Sequence, residues 1–343
     1  MRWSNLALEA PQPPGALPLA LPGAVVRSFD SPGFAGMTFY EIQARSIISR
    51  VPAASRMPFD YTINPYRGCS HSCVYCFARN THTYLDLDAG RDFDTKVVVK
   101  VNAAQLLRRE LAAAQWTGAH IAMGTNVDCY QRAEGRYRLM RGILAALRDH
   151  ANPFSILTKG TLITRDLDLL REAAAVTSVG ISFSVGFLDE AVWRGVEPGA
   201  PSPRRRLDAV RRFADAGFDV HVLMAPILPG ITDTDESIEN TVAAIAASGA
   251  VGVSPLTLHL RPGAREWYAA WLGRTHPDLV EQYRSIYGRG SYAPKAHQRE
   301  ISARVATVAR RHGIGRARMT EHRGIEPGAA TPPAPPAEQL TLL

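Results

Sequence analysis

Asn64-Pro-Tyr-Arg-Gly68 runs directly into Cys69-Ser-His-Ser-Cys73-Val-Tyr-Cys76, and the rest of the chain is read outward from this stretch. Three of the four cysteines fall within the last eight of these residues, spaced C-x-x-x-C-x-x-C. Three thiolates on one short loop can hold three irons of a four-iron, four-sulfur cluster and leave the fourth iron without a protein ligand. Clusters that only carry electrons are commonly held by four cysteines, so the spacing points to an open iron where chemistry can be done. The same cysteines have two other possible uses. A zinc site pairs two C-x-x-C-type knuckles or adds histidines at set spacing; His71 and His82 are near, but no second cysteine pair follows. A disulfide framework belongs to a smaller secreted chain with more cysteines.

Around this loop the chain alternates between extended and helical patterns. Residues 60–64 read as a strand, followed by the cysteine loop and a helix through Tyr84. Residues 96–100 are a further extended piece, and Asn102 reads as the cap of a helix over 103–116. Strands are then expected at 119–124, 154–158, 178–185, 219–227 and 251–260, with helices at 133–150, 166–175, after Ser202 and after Thr232. Ser202 is a natural N-cap with Pro203 in the first turn, and Gly217 stops that helix. Strands that return at such intervals with helices between them imply βαβ units and a parallel sheet. Six units with polar loops after the strands predict an α/β fold, a partial (β/α)6 TIM-like barrel with a helical C-terminal extension. A doubly wound nucleotide-binding sheet is the alternative, but no G-x-G-x-x-G follows the first strand.

The expected organisation is a proline-rich lead-in over 1–36, a core barrel over 37–262, a helical extension over 263–315 and a disordered tail over 324–343. Residues 37–51 read as a short amphipathic helix introducing the core. Trp267, Tyr268, Trp271, Tyr283 and Tyr287 on the extension read as packing rather than as a base-stacking platform. A 46% apolar and 21% charged composition is that of an ordinary globular protein. No membrane span or signal peptide is expected, and the few cysteines suit a reducing cytoplasm. The formal charge is +7, and Lys96, Lys100, Lys159 and Lys295 are the only lysines. That excess suits a phosphate-rich partner, although arginine in place of lysine also follows from a GC-rich source.

The motif C-x-x-x-C-x-aromatic-C, with Tyr75 at the aromatic position, resembles the signature of radical S-adenosylmethionine (radical SAM) enzymes. The wider run from Asn64 to Arg79 resembles the branch related to spore photoproduct lyase. The resemblance covers residues 40–315 and implies the partial barrel, a 4Fe-4S cluster on Cys69, Cys73 and Cys76, and SAM as cofactor. In that superfamily the amine and carboxylate of SAM bind the open iron, and an electron cleaves the sulfonium to a 5′-deoxyadenosyl radical. A reductant such as flavodoxin or ferredoxin is implied with it.

Residue by residue, the resemblance makes Thr125, Asn126 and Asp128 candidates near the SAM amine, and Lys159 and Ser184 candidates for contacting SAM. Backbone in Ala225-Pro-Ile-Leu-Pro-Gly230 would lie against the adenine. His259 and Arg261 close the sixth strand and are candidate substrate contacts or ordinary rim residues. The hydrogen-donating cysteine of the lyase corresponds to Thr125 here, four residues before Cys129. Cys129 is therefore a candidate hydrogen-atom donor, or a small buried apolar residue. Gln339-Leu-Thr-Leu-Leu343 resembles the peptide by which bacterial repair proteins dock on the sliding clamp. The favoured substrate is a lesion or modified base in nucleic acid. Alternatives are an RNA- or peptide-modifying radical SAM enzyme, an iron–sulfur electron carrier or redox sensor with Cys129 as fourth ligand, and a zinc-dependent nucleic-acid-binding module.

Overall fold

The computed structural model describes residues 23–315 apart from 30, 53, 54 and 56. The expected lead-in up to residue 22, the tail over 324–343 and the Gln339-to-Leu343 docking peptide lie outside the described residues.

Among the described residues six parallel strands carry the fold: β4 (Tyr61–Ile63), β7 (Ile121–Met123), β8 (Phe154–Thr158), β9 (Val179–Ser184), β10 (Val220–Ile227) and β11 (Gly252–Thr257). They pair in sequence order, and β3 (Ile48–Arg50) adds antiparallel to β4 at one edge. The edges, β3 and β11, do not meet, so the sheet is a partial barrel. The strands are buried almost throughout, as expected of parallel strands covered on both faces. Helices α2 (Ala103–Leu111), α4 (Leu139–Asp149), α5 (Leu167–Ala174), α7 (Pro203–Asp215) and α8 (Asp235–Ala247) supply the outer layer. The Ser202 hydroxyl accepts the Arg205 amide at the start of α7, the cap that the sequence predicts.

Three local expectations are corrected. Residues 37–51 are not a helix: they form β2 (Thr38–Ile42) and β3, joined by a bend. The Glu110 carboxylate accepts the amides of Ile47 and Ile48 at 2.8 and 2.7 Å, and the Asn102 side chain bonds both backbone groups of Ala44. Asn102 is spent there and does not cap α2. The long helix over 133–150 is two, α3 (Arg132–Tyr137) and α4, broken at Arg138 with φ 52°. The buried Glu134 carboxylate accepts the amides of Leu139 and Met140; it satisfies the first donors of α4 and fixes the break.

A second, smaller sheet packs beside the cysteine loop. It contains β1 (Val25–Arg27), β2, β6 (Lys96–Lys100) and β5 (Tyr66–Arg67) in that order, so residues 25–27 of the expected lead-in are strand. A 3-10 helix over Phe77–Leu85 follows the cysteines, and the short helices α1 (Arg91–Thr95) and α6 (Glu190–Val196) flank the site. The extension forms α9 (Ala264–Thr275), α10 (Val280–Tyr287) and α11 (Lys295–Arg311). Its aromatics are packing: Tyr268, Trp271, Tyr283 and Tyr287 share one buried cluster with Cys73, Val74 and Tyr75. After α11, the Gly315 carbonyl accepts the Val253 amide, covering the β11 edge.

Candidate active site

A cavity of about 170 Å³ opens at the C-terminal ends of the parallel strands, where βα folds place their active sites. Cys69, Cys73, Cys76 and Phe77 enter it from the loop after β4 and β5, and residues 124–128 from the end of β7. Thr158 ends β8 and Lys159 follows it, Ser184 ends β9, Ala225 and Pro226 belong to β10, and Leu258 and His259 follow β11. Cys69, Cys73, Cys76, Tyr75, Thr125, Asn126, Asp128, Lys159 and Ser184, separated by up to 115 positions in sequence, thus line one space.

The cysteine loop is held from three sides. Arg79, fully buried, donates to the Cys73 carbonyl through Nε at 3.1 Å and Nη2 at 2.9 Å. The same guanidinium pairs with Asp94 at 2.8 Å and lies 5.2 and 5.0 Å from the rings of Phe93 and Trp267. From the second side, the Gln131 side chain accepts the Ser70 amide at 2.9 Å and donates to the Gly68 carbonyl at 2.8 Å. From the third, the Gly199 amide donates to the His71 carbonyl at 3.0 Å. A Cβ at Gly199 would lie 1.9 Å from the Ser70 oxygen, so only glycine lets the two loops touch. All three thiols are free. Burial pushes their pKa values up, that of Cys73 to about 12, because a lone thiolate is costly here.

Two carboxylates organise the charges, half-buried Asp128 and fully buried Glu197. Asp128 accepts from Thr158 Oγ1 and the Lys159 amide, each at 2.6 Å, and from the Tyr130 amide at 2.8 Å. His71 Nδ1 lies 3.5 Å from it. Burial pushes His71 down to about 4 despite that carboxylate, so its imidazole is neutral near pH 7. Glu197, just beyond α6, accepts from the Tyr75 hydroxyl and from buried Arg206 of α7. Burial is the largest influence on Glu197 and would raise it, but Arg206, Lys159 and Tyr75 together hold it below the ordinary glutamate value. The Lys159 ammonium stands 3.9 Å from Glu197 and 5.7 Å from the centre of the Tyr75 ring. Among the described residues that ammonium donates no hydrogen bond, and its donors are open to the cavity.

Sequence reasoning did not find Glu197 or Arg206. Arg206 closes the run Arg204-Arg205-Arg206, which reads as a solvated helix start, and Glu197 sits in no motif. Thr125 Oγ1 lies 2.9 Å from Thr62 Oγ1, and the Ser184 hydroxyl donates to the Ala225 carbonyl at 2.9 Å. Arg261 is outside the cavity, over the Phe77 ring. Cys129 takes the second of the two places open to it, that of a small buried residue. It does not line the cavity; it is 1% exposed and packed in the main core with Tyr130, Met140 and Ile163. The Cys129 thiol thus lies in the core and not among the side chains that line the cavity. His82 is bonded to the Lys96 carbonyl. Among the described residues no three His, Cys, Asp or Glu side chains are grouped so as to hold a single metal ion.

Comparison with known proteins agrees with this arrangement. The model of the radical SAM superfamily matches residues 63–244. An uncharacterized protein of Mycobacterium tuberculosis (strain ATCC 25618 / H37Rv) is 45% identical over 100% of this chain and 98% of its own length. An uncharacterized protein of Methanocaldococcus jannaschii is 28% identical over 59% of this chain and 72% of its own. Among solved structures, a spore photoproduct lyase complexed with dinucleoside spore photoproduct superposes with a TM-score of 0.59 at 16% identity, over 81% of each chain. A cysteine mutant of that lyase gives 0.61 over the same shares; at this identity the likeness concerns the fold. With the family model matching more than half of its residues, the chain belongs to the radical SAM superfamily.

Proposed function

We propose that the cavity binds a 4Fe-4S cluster and SAM, and that the protein reductively cleaves SAM to act on a lesion or modified base in nucleic acid. One observation carries this reading: three free thiols from one short loop share a cavity with the Lys159 ammonium, which among the described residues faces Glu197 at 3.9 Å and donates no hydrogen bond. The donor set fits a cluster. The thiols are not grouped for a single ion, and a polynuclear cluster takes one thiolate at each of several irons. Cys69, Cys73 and Cys76 would hold it, and the buried thiols lose their cost as thiolates once bound to iron. When bound, the cluster supplies the electron that breaks the sulfonium of SAM.

The chain's own residues bind and orient. Lys159 would donate to the SAM carboxylate, its side chain aimed by Glu197 and the Tyr75 ring. Asp128 fixes the turn carrying Lys159 by accepting that residue's amide. Thr125 and Asn126 also line the cavity, and the Ser184 hydroxyl is held by its bond to the Ala225 carbonyl. Leu258 and Pro226 give part of the cavity an apolar lining. Among the described residues the cavity is lined by no thiol besides those three.

The nucleic-acid substrate is supported by the +7 charge and by the dinucleoside ligand named for the structural neighbour; an RNA or a peptide is the second class. A flavodoxin or ferredoxin would deliver the electron. The electron-carrier reading is disfavoured because Cys129 is packed in the core and cannot complete a four-cysteine set without moving. The test is anaerobic reconstitution, reduction and addition of SAM. Wild type is expected to form 5′-deoxyadenosine and Cys73→Ala none; a reduced, iron-loaded wild type that forms none contradicts the proposal.

A further inference from the structure

At the mouth of the cavity three rings form a ladder. His259 lies between Phe77 and Tyr292, with ring centres 5.6 Å apart on each side and interplanar angles of 39° and 27°. Phe77 and His259 line the cavity, whereas Tyr292 is 54% exposed, with His259 against one face and solvent on the other. Arg261 ties the ladder together: its guanidinium lies 5.5 Å from the Phe77 ring centre and donates to the Tyr292 hydroxyl at 3.1 Å. Among the described residues no carboxylate pairs with Arg261. Arg141, Arg148, Arg304 and Arg311 on other surfaces all have one.

The ladder is anchored. His259 and Tyr292 face each other in an isolated antiparallel bridge, the Leu260 amide donates to the Ser291 carbonyl at 2.7 Å, and Arg265 donates to the carbonyls of Gly288 and Gly290. The 288–292 segment is thereby held against the exit of β11. The His259 imidazole, both faces covered, makes no hydrogen bond among the described residues. Burial and the Arg261 charge push its pKa down to about 4, which leaves one donor and one acceptor on its edge near neutral pH.

An exposed ring face beside an unpaired guanidinium matches a unit with a flat ring and an anionic linker. We infer that this rim recognises single-stranded nucleic acid: a flanking base stacks on the free face of Tyr292, its phosphate binds Arg261, and the His259 edge meets the reacting base in the cavity. The inference rests on the proposed substrate class and extends it to particular residues. Stacking and charge choose a flanking nucleotide without reading its sequence; the imidazole edge adds hydrogen-bond selection of the base inside.

The test uses the full chain and a fluorescein-labelled octathymidylate, read by anisotropy. Wild type is expected to bind, and Tyr292→Ala and Arg261→Ala are each expected to weaken binding by about tenfold. Arg261→Ala should also lower the slope of log affinity against log salt by about 0.7. Tyr292→Phe keeps the ring and loses only the bond to Arg261, so it should bind within about twofold of wild type. A Tyr292→Phe protein as weak as Tyr292→Ala would make the ring merely a prop for Arg261 and overturn the stacking. No octathymidylate binding by wild type, or equal binding of a labelled acidic peptide, would overturn the nucleic-acid assignment. Scoring 5′-deoxyadenosine from wild type in the same preparation separates these failures from failure of the radical reading.

Discussion

Behind the inner wall of the cavity, Glu197 and Arg206 have almost no exposed surface and bond each other, Tyr75 and the turn before α7. On the outer wall, Arg261 and Tyr292 stand in solvent and are joined by one hydrogen bond. The inner wall is tied in several directions, and such rigidity would suit a cofactor that must sit in one place. Buried charge is tolerated there because each member has a partner. The outer wall keeps its ring face and guanidinium free, as a surface for a variable substrate must. The difference separates what the fold fixes from what specificity needs.

The largest expected effect breaks the inner wall. Glu197→Ala leaves Arg206 buried without its counter-charge, and urea unfolding should register a loss of about 3–5 kcal/mol. A loss under about 1 kcal/mol would mean that the wall is no more tightly built than the rim. Next, Lys159→Ala removes a charged donor to the SAM carboxylate, and equilibrium binding should show affinity falling about tenfold or more. Unchanged affinity would leave the unsatisfied ammonium without a ligand. Cys129→Ala should cost about 1–2 kcal/mol as a small core cavity while iron content stays at the wild-type level.

A further effect is in pH. His71 on the inner wall and His259 on the outer are both pushed down to about 4, chiefly by burial, whereas an unfolded chain takes these protons near about 6.5. The stability of the metal-free protein is therefore full above about 6.5 and falls as pH drops towards about 4. His259→Gln should remove part of that fall, measured by urea unfolding at about pH 7 and about pH 4.5. Identical pH profiles for the variant and wild type would show the rim histidine to be more solvated than its stacked position implies.

Much of the inner wall was legible because its chemistry is local. The cysteine spacing needs one loop, and Asp128, Lys159 and Ser184 each follow a strand whose burial pattern can be read. The β8 bounds and the Ser202 cap could be read for the same reason. Glu197 and Arg206 were not, since their meaning depends on α6 and α7 folding over the cysteine loop from more than a hundred positions away. Residues 37–51 misled because Phe39, Ile42 and Ile47 satisfy helical spacing as well as two strands with a bend, and only Glu110 and Asn102 decide between them. Cys129 stayed open between two places because proximity in sequence to Asp128 says nothing about which side of the chain it faces. The rim joins Phe77, His259 and Tyr292 from three distant segments, and no spacing announces it.

The central claim is a cluster held by three cysteines with an open iron that meets SAM. Iron analysis and electron paramagnetic resonance of the reduced, reconstituted protein, with and without SAM, test it most directly. Wild type and Cys129→Ala should each hold about four irons per chain, with a signal that changes when SAM is added. Loss of the cluster in Cys129→Ala, or a wild-type signal indifferent to SAM, would contradict it.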